Sequence, residues 1–204
     1  MAKQTKKTLQ ERIGAQLQNR FCNKVADVHF SVNYSQIESQ GEVPAVNDFG
    51  PMRVEVKATP WFSEYWFYII IQFHTEKNKT LKPYASVSFF QKTDEVLKQL
   101  FRAEWDNYPE VEGYNHPQPH WHFTAHLSDK TSFSDLEDAE EEGEYNQLLG
   151  NSKTINLDRI HFAMSGNWSS DGNMLNKNDE TALVDWMIQL FRHVREELIY
   201  KDHQ

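Results

Sequence analysis

YWFYIIIQFHTEKNKTLKPYASVSFFQ, residues 65–91, is the stretch that decides the fold class. Two runs rich in aromatic and β-branched residues, Tyr65–His74 and Tyr84–Gln91, flank the turn-forming Lys-Asn-Lys-Thr. Such runs split by a polar turn read as consecutive antiparallel strands. Just upstream, Met52–Lys57 (MRVEVK) alternates with period two and is separated from Tyr65 by a Thr-Pro step. Earlier still, Val28, Phe30 and Val32 alternate as a short strand would, inside an otherwise irregular stretch that runs to Gly50-Pro51. The cluster Trp61, Phe62, Trp66 and Phe67 has the composition of a stacking platform for bases or sugars. Aromatic residues inside a strand run are first of all core, and they are read so here.

Helical patterning marks both ends of the chain. Leu9, Ile13, Leu17, Phe21 and Val25 recur every fourth residue, leaving one apolar stripe on a helix over 1–26. Leu183, Met187, Leu190, Phe191, Val194 and Leu198 form a second stripe over 180–200, with Asn178 or Asp179 as N-cap. Asp94–Asp106 is ambiguous. Val96, Leu97, Leu100, Phe101 and Trp105 fit a helix, whereas Phe101–Asp106 alternates like a strand, and a strand is preferred for that second half. His120–Leu127 and Arg159–Met164 read as further strands, 134–150 as an acidic loop, and Ser165–Asp179 as a Gly-, Asn- and Ser-rich loop. The expectation is one α+β domain spanning 1–204, with the candidate site within the strands of 52–127. It is a mostly antiparallel sheet of five to six strands with an N-terminal and a C-terminal helix packed on one face.

Composition narrows the function classes. Hydrophobic residues make up 39% and aromatics 13% of 204 residues, enough to build a core and to argue against general disorder. The longest apolar run, Tyr65–Ile71, is strand length, far short of the roughly 20 residues of a membrane span. The basic start, Met-Ala-Lys-Gln-Thr-Lys-Lys, is followed by no apolar h-region, so a secretory signal is not expected. Cys22 is the only cysteine, which excludes an internal disulfide and a cysteine zinc cage. Cys22 itself reads as inert packing. A cytoplasmic protein is expected.

The net charge of −9 is unevenly spread, with a basic block over 1–24 and an acidic one over 135–144. Lys and Arg contacts to phosphates dominate nonspecific nucleic-acid affinity. The chain as a whole therefore repels polyanions, and any RNA or DNA must be met through a local patch or a partner. Glycine phosphate loops, G-x-S-x-G elbows and H-E-x-x-H helices are absent from the sequence.

The chemistry-bearing segment is His116–His126, HPQPHWHFTAH, which holds four of the nine histidines. Pro117 and Pro119 favour an extended approach. In a strand, His120, His122, Thr124 and His126 share one face, and Trp121, Phe123 and Ala125 the other. If 101–106 pairs with it as a hairpin, Arg102, Glu104 and Asp106 join the polar face. Two chemistries suit such a group. A histidine can act as general acid or base, with Arg102 stabilising developing negative charge and Glu104 orienting an imidazole. Alternatively, His120 and His122 ligate a divalent metal with a third ligand from His116, Glu104 or His161. A hydrogen-bonded polar face with no chemistry is the third reading. The candidate catalytic residues are thus His120, His122, Arg102, Glu104 and Asp106. His116, His126 and His161 are candidate binding residues, and no cofactor beyond that divalent metal is implied.

Arg102-Ala-Glu-Trp-Asp106-Asn107 followed by His116-Pro-Gln-Pro-His120-Trp-His122 resembles two strands of small prokaryotic TumE-like toxin proteins, one arginine–aspartate–asparagine and one proline–histidine–x–histidine. The resemblance covers about an eighth of the chain; those proteins are much shorter, and the spacing inside the first strand differs. It implies a prokaryotic toxin or defence effector, with Arg102, Asp106, His120 and His122 as the matching positions. The function expected is phosphodiester (RNA or DNA) hydrolysis, with a protein partner such as an antitoxin or complex subunit. The alternative is a non-catalytic protein-binding subunit of a larger defence or nucleic-acid-processing complex.

Overall fold

The computed structural model describes residues 7–49, 52–75, 81–105, 118–123, 162–164 and 180–202. At the N-terminus, Thr8 caps helix α1 (Leu9–Gln16) through a capping box. Its hydroxyl accepts from the Glu11 amide at 3.2 Å, and the Glu11 carboxylate accepts from the Thr8 amide at 2.7 Å. The helix passes through a π-helical turn, Leu17–Phe21, into a last short segment α2 (Cys22–Lys24). A strict four-residue apolar repeat drifts around a 3.6-residue helix. The wider π turn takes up that drift, and both Leu17 and Phe21 end fully buried.

Nine strands follow among the described residues: β1 (His29–Val32), β2 (Gln36–Gln40), β3 (Val43–Asp48), β4 (Arg53–Phe62), β5 (Tyr65–Thr75), β6 (Leu81–Thr93), β7 (Val96–Trp105), β8 (His120–Phe123) and β9 (Phe162–Ala163). The last described element is the helix α3 (Glu180–Asp202). The fold is α+β, and every strand pair is antiparallel, along the order β1-β2-β5-β6-β7-β8-β9. The stretch expected to be irregular, 28–51, supplies three of these strands. Their inward positions include Ser39 and Asn47, polar residues that are fully buried and hide the apolar alternation. The 120–127 strand is described only to Phe123 and the 159–164 strand only at its end. The 134–150 and 165–179 segments, with both candidate N-caps, lie outside the described residues.

The two faces of the sheet bury different partners. Odd positions of β5 (Phe67, Ile69, Ile71) join Val87 and Phe89 of β6 and the stripes of α1 and α3 in one apolar cluster. Phe191 of α3 is its hub, with ring centroids 4.9 Å from those of Phe21, Trp61 and Phe67 and 5.0 Å from that of Phe89. The opposite face is covered by the β3–β4 hairpin. β4 pairs with β3 through Arg53–Ala58, then with β5 through Thr59–Phe62, so the long strand carries the hairpin from one layer into the other. Ala45, Val56 and Ala58 meet Tyr68, Ile70, Phe90 and Leu97 there. Gly41 lies at the entry to this hairpin, where an added Cβ would stand 2.2 Å from backbone atoms of Ala58. No helix among the described residues is long and apolar enough to cross a membrane.

Phe191 joins both helices to the sheet, so truncating it leaves a cavity in the centre of the main cluster. Phe191→Ala is expected to cost about 3–5 kcal/mol in urea unfolding. Tyr200→Ala, at a position 65% exposed on the same helix, should stay within about 0.5 kcal/mol. Equal losses for the two would contradict this core.

Candidate functional site

Three adjacent strands build the site. β6 pairs with β7 in a register that sets Ser88 opposite Arg102 and Ser86 opposite Glu104. β7 pairs with β8 so that Arg102 faces His122 and Glu104 faces His120. Residues directly opposite across antiparallel strands share a face. The sequence-predicted hairpin therefore forms and brings Arg102, Glu104, His120 and His122 together. On the reverse side, Trp121 packs against Phe101, centroids 5.4 Å apart, and Trp105 packs against Trp186. Asp106, His116, His126 and His161 lie outside the described residues.

A β-bulge aims the β7 residues. Phe89 pairs with Phe101 and Phe90 with Gln99, which leaves Leu100 as the extra residue. Before the bulge, Leu97 and Gln99 face the hairpin layer; after it, Arg102 and Glu104 do. Bulges re-aim side chains in this way and are frequent beside functional sites. The whole of Val96–Trp105 is strand, including the half whose apolar spacing also fitted a helix.

Glu104 is the centre of the group and is 7% exposed. Its Oε1 accepts from Arg102 Nε at 2.6 Å and from the Tyr84 hydroxyl. Its Oε2 lies 2.9 Å from His122 Nε2 and 3.4 Å from His120 Nε2, and the two imidazole nitrogens are 2.8 Å apart. His120 is fully buried, and the His122 and Glu104 side chains are 12% and 9% exposed, so His122 is by a small margin the most accessible of the three. Arg102 is held from its other side as well. Its Nη1 donates to the Asp48 carbonyl at the end of β3, and its guanidinium lies over the Phe49 ring at 4.7 Å.

The electrostatics follow from these contacts. Burial by itself pushes the Glu104 carboxyl upward, but hydrogen bonds from His120 and His122 and the Arg102 charge outweigh it. They hold the group well below the usual carboxylate range, as the anion. Burial, and then the Glu104 charge, push the Tyr84 hydroxyl upward, so it stays a neutral donor. Among the described residues, Glu104, His120 and His122 also form a group whose donor atoms lie within 4.8 Å of one another, close enough to share a metal ion. Of the third ligands the sequence offered, the structure brings Glu104 to the two histidines.

Tyr84 and the Asp48–Phe49 cap were not among the candidates the sequence supplied. Tyr84 had a signal: with Ser86 and Ser88 it puts three polar residues at period two on one face of an otherwise apolar strand. The cap had none, because Asp48 acts through its backbone carbonyl.

Removing the Arg102 charge leaves the buried carboxylate without its cation, and Arg102→Met is expected to cost about 3–5 kcal/mol. Tyr84→Phe removes one hydrogen bond to a charged group and should cost about 1.5–3 kcal/mol. Urea unfolding of the two variants and their double mutant checks this. Losses below about 0.5 kcal/mol in both would show that Glu104 is not held as described.

Comparisons with protein-family models, with curated proteins and with solved structures return no match to this chain.

Proposed function

We propose that this chain is a hydrolytic effector of the prokaryotic toxin or defence type, cleaving phosphodiester bonds of RNA or DNA at the Glu104–His120–His122 centre. The observation that carries the reading is the meeting of two imidazole Nε2 atoms at one oxygen of a buried, anionic carboxylate. Histidine is the side chain that moves protons near neutral pH, and a fixed carboxylate orients the ring and stabilises its charged form. His122, the most accessible of the three, is the member that meets substrate, with Glu104 and His120 behind it. Arg102 and Tyr84 act through Glu104 and are positioning residues. The resemblance to TumE-like toxins at Arg102, Asp106, His120 and His122 supports the toxin class. Such an effector works in the cytoplasm, where its substrate is, and under restraint by a protein partner, an antitoxin or a complex subunit. With a net charge of −9, capture of a nucleic acid falls to a local patch or to that partner.

The test uses the purified full chain with labelled single-stranded RNA and DNA, alongside growth of cells expressing it. The wild type is expected to cleave one of the two and to slow growth. His122→Gln should lower the cleavage rate at least about 100-fold, and the His120→Ala/His122→Ala double variant should abolish it. Full activity in a folded double variant would overturn the proposal. So would a wild type that cleaves neither and instead forms a stable complex indifferent to His122→Gln, the behaviour of a binding subunit.

A further inference from the structure

We infer that Glu104, His120 and His122 bind a single divalent first-row transition metal ion, through Glu104 Oε2 and the Nε2 atoms of both histidines. The binding itself stands on geometry. The role given to the ion, supplying a bound water for hydrolysis, rests on the phosphodiester hydrolysis proposed above and takes the place of proton transfer by His122, whose Nε2 is then a ligand.

The geometry is a triangle of three donor atoms with edges of 2.8, 2.9 and 3.4 Å. Nε2 of each imidazole and Oε2 of the carboxylate can each offer a lone pair toward a common point, and a divalent cation there takes all three as ligands at once.

The dimensions agree with that ion. Ligand bonds of about 2.1 Å at right angles put donor atoms about 3.0 Å apart, and at the tetrahedral angle about 3.4 Å apart. The observed edges bracket these values. Two imidazoles and one carboxylate on one face of an ion leave its other positions for water or a substrate oxygen. The surroundings match as well. Arg102 and the Tyr84 hydroxyl both occupy Oε1, which leaves Oε2 as the ligand atom and makes Glu104 monodentate. Outer partners of this kind orient ligands in metal sites. In the hydrolytic role, water on the ion gives a proton to bulk water and its oxygen bonds to phosphorus. The bond from phosphorus to the leaving oxygen breaks, and that oxygen takes a proton from water.

The experiment titrates the chelator-stripped full chain with Co²⁺, following visible absorption and bound cobalt by elemental analysis. One ion per chain is expected, displaced by Zn²⁺. Glu104→Gln and His122→Gln should each weaken binding at least about 100-fold, and Tyr84→Phe about 10–100-fold. His29→Gln, exposed on β1, should leave binding unchanged. Circular dichroism establishes that each variant is folded, and His122→Gln, at the most accessible ligand, keeps the test open if Glu104→Gln is not. No bound cobalt, or equal binding in wild type and folded variants (an adventitious surface ion only), overturns the inference. Cobalt bound as expected with no phosphodiester cleaved supports the site and ends the hydrolytic role. Cleavage that persists with chelator and without bound metal overturns the metal and leaves the hydrolytic reading standing.

Discussion

A single buried carboxylate sets the terms for one end of this structure. An ion taken out of water costs several kcal/mol unless its oxygens are met by donors and counter-charge. Glu104 is met on Oε1 by a guanidinium and a phenol and on Oε2 by two imidazoles. These partners come from β6, β7 and β8, so the register of three strands is tied to one side chain. A slip of one residue in either pairing would turn the partners to the opposite face. The site and the sheet edge are therefore specified together.

The two-layered covering of the sheet explains why a polar group sits here. Helices α1 and α3 need an apolar face and receive the odd positions of β5 with Val87 and Phe89 of β6. The β3–β4 hairpin covers the other face with Ala45, Val56 and Ala58 over Tyr68, Ile70 and Phe90. Toward β7 the contacts of the hairpin become polar. The Asn47 amide oxygen accepts from Ser88 at 2.7 Å, and the Asp48 backbone pairs with the Gln99 amide and Arg102. The Leu100 bulge makes both halves of β7 serve this layer. The hairpin thus covers Arg102 through the Asp48 carbonyl and the Phe49 ring.

Much of this was legible in the sequence, and the exceptions have physical causes. The end helices follow from periodicity, because each buries an apolar stripe, and β5 and β6 from their continuous aromatic and β-branched runs, because both of their faces are covered. Only the first half of β4 was read, since Thr59-Pro60, taken as a break, lies inside the strand. Alternation put Arg102 with Glu104 and His120 with His122 on one face of each strand, and the pairing that joins them, supposed in the sequence reading, is found between Phe101–Glu104 and His120–Phe123. β2 and β3 were hidden because their buried positions include Ser39 and Asn47, which no apolar pattern reveals. The first half of β7 looked helical because a bulge shifts a period-two pattern by one residue, so that Leu97, Leu100 and Phe101 mimic helical spacing. The contacts of Arg102 with the Asp48 carbonyl and the Phe49 ring bring together residues more than fifty positions apart. No local pattern carries them.

The convergence of Glu104, His120 and His122 on one point is tested most directly by a crystal structure of the cobalt-loaded chain, using anomalous scattering at the cobalt edge. One strong anomalous peak is expected about 2.1 Å from Glu104 Oε2, His120 Nε2 and His122 Nε2, with Glu104 Oε1 still on Arg102 and Tyr84. A map in which the Glu104 carboxylate turns away from the imidazoles, or in which the three groups lie apart with no peak between them, would contradict it.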